Sequence, residues 1–181
     1  MFIGLLILIM VIAFIALVLA IALVIGLVMA GGVPFISTKS SDFNQILKAS
    51  ELKTGETIYD LGCGKANLLV KAVKEYRVKG IGYELSLTPY LWAQLWSWIS
   101  GTKLKLYMRN FFKADLSEAD VVFCYLFPKI MKKLEDKFEQ ELKPGSRVVS
   151  YAFKLPNRQP DKVIETNNDN PELGRIFLYK Y

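Results

Sequence analysis

Hydrophobic and polar positions divide this chain into two unlike stretches. From Phe2 to Ala30 every side chain is Ile, Leu, Val, Ala, Met or Phe except at Gly4 and Gly26, and no polar face recurs at helical spacing. As a helix this run would reach roughly 44 Å, more than the roughly 30 Å hydrocarbon core of a bilayer. Tilt, or a first turn among the headgroups, absorbs the excess. Gly31, Gly32 and Pro34 then end the helix and turn the chain. Beyond them, short apolar runs alternate with helical periodicity. A helix from Ser41 to Ser50 leads into strands at Glu56 to Leu61, Val78 to Glu84, Lys103 to Arg109, Asp120 to Phe127 and Ser146 to Phe153. Helices at Asn67 to Tyr76, Thr88 to Ile99 and Lys129 to Glu141 separate them, and Lys162 to Glu165 and Arg175 to Tyr179 read as two closing strands. Strands and helices in alternation predict an α/β, doubly wound, mostly parallel sheet. The expected organisation is an anchor and break over residues 1–32 and one domain over residues 33–181.

Charge sharpens that division. No Lys, Arg, Asp or Glu precedes Lys39, so all 23 basic and 17 acidic side chains fall in the second stretch. Such a balance suits one soluble domain and argues against a disordered chain, a multi-span transporter or a disulfide-stapled module. Lys39, Lys48 and Lys53 follow the apolar run closely, which by the positive-inside bias puts the domain in the cytoplasm behind a single-pass anchor. A cleaved signal peptide is the competing reading. It needs an apolar core of about 7 to 15 residues behind a basic leader, and this run offers neither. The net charge of +6 comes from scattered Lys residues with no aromatic RNA-reading motif, so a membrane surface is the expected partner rather than nucleic acid. Cys63 and Cys124 stand apart in apolar segments with no His in the chain, so no metal site, redox pair or imidazole base is expected.

In a doubly wound sheet ligands bind beyond the carboxyl ends of the strands, where strand order reverses. The first strand ends in Asp60-Leu61-Gly62-Cys63-Gly64 and the second in Glu84. Glycines allow close backbone approach, and a carboxylate at Glu84 can accept both hydroxyls of a ribose. The third glycine of a dinucleotide fingerprint is absent, because Lys65, Ala66 and Asn67 follow. Asp60 would repel a pyrophosphate. It suits instead a cofactor bearing positive charge, such as S-adenosylmethionine with its sulfonium and ammonium groups.

On these residues the chain resembles the class I S-adenosylmethionine-dependent methyltransferases. Asp60 to Gly64 matches their first motif, Glu84 their ribose-binding acid and Asn110 their adenine-edge position. Lys65 and Ala66 depart from the Asp-Gly common there, which bears on contacts at the methionine end. The resemblance implies a Rossmann-like sheet of seven strands with one antiparallel strand, behind a single N-terminal transmembrane helix. A narrower resemblance, carried by the apolar N-terminus, Val33 to Thr38, Gly82-Tyr83-Glu84, Asn110-Phe111-Phe112 and Asp120 to Pro128, is to small membrane-associated lysine methyltransferases. Members of that group modify the adenine nucleotide translocase and the ATP synthase c-subunit. It implies that Pro34 to Thr38 folds over the cofactor, with Thr38 among the cofactor-binding residues. Tyr125 to Pro128 would form the lip facing the methyl group, with Tyr125 and Pro128 as candidate catalytic residues.

Two segments stay open on their residues alone. Tyr125 to Pro128 reads equally as a lip or as the packed end of a central strand followed by a helix-starting proline. Trp92, Trp96 and Trp98 read as core, as an interfacial belt or as a groove for an apolar substrate helix; Trp92 and Trp96 share a face at i, i+4 and Trp98 points elsewhere, so one of the three cannot be buried with the others. Lys129, Lys132, Lys133 and Lys137 with Glu135, Asp136 and Glu139 read as a solvated helix face. The expected activity is methylation of a membrane-protein lysine by a membrane-anchored enzyme. A lipid or quinone-like acceptor, or a non-catalytic S-adenosylmethionine-binding module, are the alternatives.

Overall fold

A computed structural model of the chain describes residues 2–29, 38, 40–166 and 173–181. Helix α1 (Phe2–Met29) extends for 28 residues, and from Phe2 to Gly26 none of its side chains is buried. It is the one helix among the described residues that is long and apolar enough to cross a membrane. The expected break at Gly31, Gly32 and Pro34 lies outside the described residues.

The remaining elements follow in the order α2 (Phe43–Ala49), β1 (Thr57–Leu61), α3 (Asn67–Tyr76), β2 (Lys79–Glu84), α4 (Leu87–Ile99) and β3 (Lys105–Met108), then β4 (Val121–Cys124), α5 (Pro128–Glu141), β5 (Arg147–Tyr151), β6 (Lys162–Glu165) and β7 (Arg175–Lys180). All seven strands form one sheet in the order β3-β2-β1-β4-β5-β7-β6. β1 to β5 run parallel, and β7 inserts antiparallel between β5 and β6. This is the expected mostly parallel sheet with a single reversed strand. Order reverses between β1 and β4, so the cleft of the fold opens beyond Leu61 and Cys124, which pair in register.

Alternation sorts the side chains of the strands onto two faces. Ile58, Val121, Phe123, Val149 and Ile176 pack under α2 and α3, whereas Tyr59, Val122, Cys124, Val148 and Tyr179 pack under α5. The paired faces explain why β1, β4 and β5 read as continuous apolar runs. β3, β4 and β5 are shorter than their patterns predict, β3 spanning only Lys105–Met108. β4 stops at Cys124, opposite Leu61, the last residue of β1, which frees Tyr125 to Phe127 from the sheet. β5 stops at Tyr151, where Ala152 takes a φ of 67° and the Ser150 hydroxyl donates to the Phe153 carbonyl. The first domain helix is a short 3-10 turn, Ser40–Asp42, leading into α2. The expected solvated face of α5 is also mixed. Lys129, Lys132 and Lys133 are exposed, but Glu135 is buried and accepts from the Asn157 backbone and side-chain amides, and Lys137 pairs with Glu141.

Candidate active site

The loop between β1 and α3 is bent by local chemistry. Gly62 has a φ of 87°, and the backbone N–H groups of Gly62 and Cys63 both donate to the Tyr83 carbonyl at 2.9 Å. Glu84, at the end of β2, braces the same loop. One of its oxygens accepts from the Gly64 N–H at 2.9 Å and the other from the Ser86 N–H at 2.8 Å. Side chains close over Gly82, where a Cβ would stand 2.7 Å from Cys63 Sγ and 2.8 Å from Leu106 Cδ2. Ala66, where the resembling family commonly has Gly, holds a left-handed φ of 57° at the start of α3. The loop therefore keeps a glycine-like path although the residue has a Cβ, at a cost of roughly 1 kcal/mol.

A cleft opens above this loop. Thr38, Asp60, Gly62, Gly64 and Tyr125 line it, all anticipated from the sequence. Glu84 stands directly behind, through its bond to Gly64. Asn110 and Pro128 are not among the lining residues. Asn110 follows Arg109, whose N–H donates to the Glu84 carbonyl, and its side-chain oxygen caps a 3-10 turn by accepting from Phe112 N at 2.9 Å. Pro128 is exposed at the first turn of α5. Pro34 to Ser37, the rest of the expected covering segment, lie outside the described residues.

Asp60 is the most distinctive group. It is only 4% exposed, and among the described residues it has no hydrogen-bond donor. Burial, with the Glu84 carboxylate adding to it, pushes Asp60 up to about 8. An isolated buried carboxylate is costly unless a cation or donor meets it. At the edge of a cleft this acidic acceptor fits a positively charged ligand, while the loop glycines leave room for close backbone approach. Burial also pushes the Cys63 thiol well above its ordinary value, which makes it an inert wall.

The other wall is aromatic. The Tyr125 ring meets Tyr151 edge-on with centroids 5.0 Å apart and stacks toward Phe153 at 6.3 Å. Among the described residues the Tyr125 hydroxyl has no hydrogen-bond partner, and burial raises it above its ordinary value. Tyr151 in turn donates to buried Asp42 at 2.5 Å, which ties the start of α2, and with it the approach to Thr38, to β5. Sequence reasoning missed Phe43 and Phe123, which also line the cleft. Phe123 was legible as an inward position at the end of a central strand. Nothing local marks Phe43 or the Asp42–Tyr151 bond, which joins residues 109 positions apart.

Residues 60–162 match the family model described as the ANTKMT methyltransferase domain. The chain belongs to this methyltransferase family. A protein-lysine N-methyltransferase of Saccharolobus islandicus (strain REY15A) is 32% identical over 151 residues, covering 81% of this chain and 92% of that protein. The adenine nucleotide translocase lysine N-methyltransferase of Mus musculus is 29% identical, covering 81% of this chain and 62% of that protein. The ATP synthase c-subunit lysine N-methyltransferase of Homo sapiens is 26% identical, covering 72% and 56%. The aligned regions thus span less than two thirds of both mammalian relatives. Among solved structures, an RNA methyltransferase from Salinibacter ruber in complex with S-adenosyl-L-homocysteine superposes with a TM-score of 0.75 at 24% identity, over 80% of this chain and 93% of that one. That likeness shows the fold. The family's cofactor is S-adenosylmethionine, and the acid-lined cleft of this member fits it.

Proposed function

We propose that the chain is a membrane-anchored protein-lysine N-methyltransferase whose domain, residues 33–181, faces the cytoplasm and acts on a lysine of a membrane protein close to the interface. The observation that carries this reading is α1, an apolar helix of spanning length joined to a domain whose relatives include lysine methyltransferases named for membrane proteins. Lys48 and Lys53 follow the span, as the positive-inside bias asks of a cytoplasmic domain.

When bound, S-adenosylmethionine supplies a methyl group on a sulfonium that leaves as a neutral thioether. The protein's part is binding, orientation and exclusion of water. Asp60 would answer the cofactor's positive charge, and Gly62 and Gly64 would let the backbone come close. Glu84 would accept ribose hydroxyls with the lone pairs left over from its two backbone bonds. Asn110 would meet the adenine edge, and Thr38 would close the cleft. An acceptor lysine must first lose a proton, which costs roughly 4 to 5 kcal/mol at pH 7 from an ordinary pKa. Phe43, Phe123 and the Tyr125 ring offer an apolar wall that favours the neutral amine. The Tyr125 hydroxyl would accept a hydrogen bond from that amine and aim its lone pair, with Pro128 fixing the start of α5 behind the lip.

The test incubates the full chain in lipid nanodiscs with membrane extracts and a methyl-labelled cofactor, followed by mass spectrometry of peptides and lipids. Methyl-lysine in a membrane protein supports the proposal. Label confined to lipid or quinone-like molecules would reassign the acceptor, and cofactor binding without transfer to any fraction would make the domain a sensor. Tyr125→Phe should slow transfer about tenfold with cofactor affinity unchanged. Unaltered turnover would remove the hydroxyl from the mechanism.

A further inference from the structure

Helix α4 contains no charged residue and turns its large side chains outward. Leu91, Trp92, Leu95, Trp96, Trp98 and Ile99 are between 42% and 80% exposed, whereas the buried positions are the small Ala93 and Ser97. At about 100° per residue these exposed positions sweep about half of the helix circumference. A monomer in water rarely exposes so continuous an apolar surface, and here it is a face of aromatic and aliphatic residues without an acid. Two contacts say what lies against it. The end of α1 meets the beginning of α4, where the Cβ position of Gly26 is 3.6 Å from the Ser86 hydroxyl. The end of α1 thus stands at the N-cap of α4, beside exposed Leu87 at the start of the apolar run. At the other side Lys65, a residue of the cofactor cleft, sets its ammonium 5.7 Å from the centre of the Trp92 ring. Exposed Lys103 and Lys105 follow the helix toward and into β3.

We infer that α4 is a second membrane contact, its Trp and Leu face immersed among the headgroups and upper acyl chains beside the point where α1 leaves the bilayer. This inference rests on the reading of α1 as a span. Trp at the water–lipid boundary, an apolar half and flanking Lys residues are the features of a helix lying on an anionic bilayer surface. The immersion carries a consequence for specificity. Because Lys65 links the cleft to Trp92, the cleft is held against the bilayer, and the acceptor it reaches is one at headgroup level rather than one projecting far into the cytoplasm.

The three Trp residues of the chain all lie on α4, so selectively excited Trp emission reports this helix alone. The full chain is reconstituted into phosphatidylcholine–phosphatidylglycerol vesicles that carry bromine at different depths on the acyl chains, and flotation establishes incorporation. Loss of most Trp emission to the shallow bromines, with little loss to aqueous iodide, is the expected result. A W92F/W96F variant that keeps only the most exposed Trp98 should behave in the same way. Floating protein whose Trp emission is quenched by iodide and not by bromolipid would overturn the inference while leaving α1 as a span. Emission shielded from both quenchers would overturn it in favour of a second copy or a substrate helix covering α4. Failure to float would remove the span, and with it this inference.

Discussion

Helices α4 and α5 are 13 and 14 residues long, and each follows a parallel strand and precedes the next. Their side chains are partitioned in opposite ways. α5 buries Met131, Leu134 and Phe138 at a helical spacing and gives Lys129, Lys132 and Lys133 to water. α4 rests on the sheet through Ala93 and Ser97 and leaves its Trp and Leu residues outside. The same contrast holds for buried acids. Glu135 on α5 is satisfied by Asn157, whereas Asp60 beneath the cleft has no donor among the described residues. Side chains on the α5 side are chosen for the chain's own stability. Those around α4 and the cleft are left without a partner inside the described fold, an exposed apolar face in one case and a buried acid that suits a cationic cofactor in the other.

The largest test of that comparison is Phe138→Ala, which removes a fully buried ring and should cost about 3 to 5 kcal/mol in denaturant unfolding. Trp98→Ala, on the outward face of α4, should cost less than about 0.5 kcal/mol despite removing a larger ring. Equal costs would break the contrast. Asp60→Asn should weaken S-adenosylmethionine binding about tenfold to a hundredfold by calorimetry, the worth of one charge-assisted contact.

Asp60 also makes the ligand-free protein sensitive to pH. Its folded value, raised to about 8, lies above the roughly 4 of an unfolded Asp, so the folded state holds the proton more tightly. Stability without cofactor should be greatest below about pH 4, as far as this group is concerned, and fall as pH rises through 8. Cofactor affinity should rise over the same window. In Asp60→Asn both slopes should flatten, which unfolding and binding measured at pH 6 and 9 would reveal.

Smaller effects sharpen the picture near α4. Ala93→Leu forces bulk into its contact with the sheet and should cost about 1 to 3 kcal/mol, because this is where α4 does pack inward. Ala66→Gly should stabilise the chain by about 1 kcal/mol, by relieving the left-handed conformation, with cofactor affinity unchanged. A loss of affinity there would mean that the Ala66 Cβ itself shapes the cleft.

Strands β1, β2 and β4, the bend at Gly62 and the acids at Asp60 and Glu84 were all legible along the chain. Each rests on local chemistry: a β-branched run, a glycine that takes a positive φ, or an acid at a strand end. The exposure of α4 was not legible. A Trp at helical spacing looks the same whether it faces a sheet or a membrane, and only the packing of Ala93 and Ser97 against the sheet settles which way the helix is turned. Asn110 and Pro128 were legible as motif positions, yet their absence from the cleft walls depends on how the loops after β3 and β4 leave the sheet.

The amino-acid order by itself determined the division into an apolar helix and a charged domain, the alternation of strands and helices, and the acid-and-glycine loop, because periodicity and φ preference act over a few residues. Tertiary structure decided that Asp60 is buried without a donor, that Tyr125 is braced by Tyr151, which is in turn held by Asp42, and that α4 faces outward from the end of α1. Those outcomes depend on residues far apart in sequence meeting in one place, where burial, and not residue type, sets the charge state and the partner of each group.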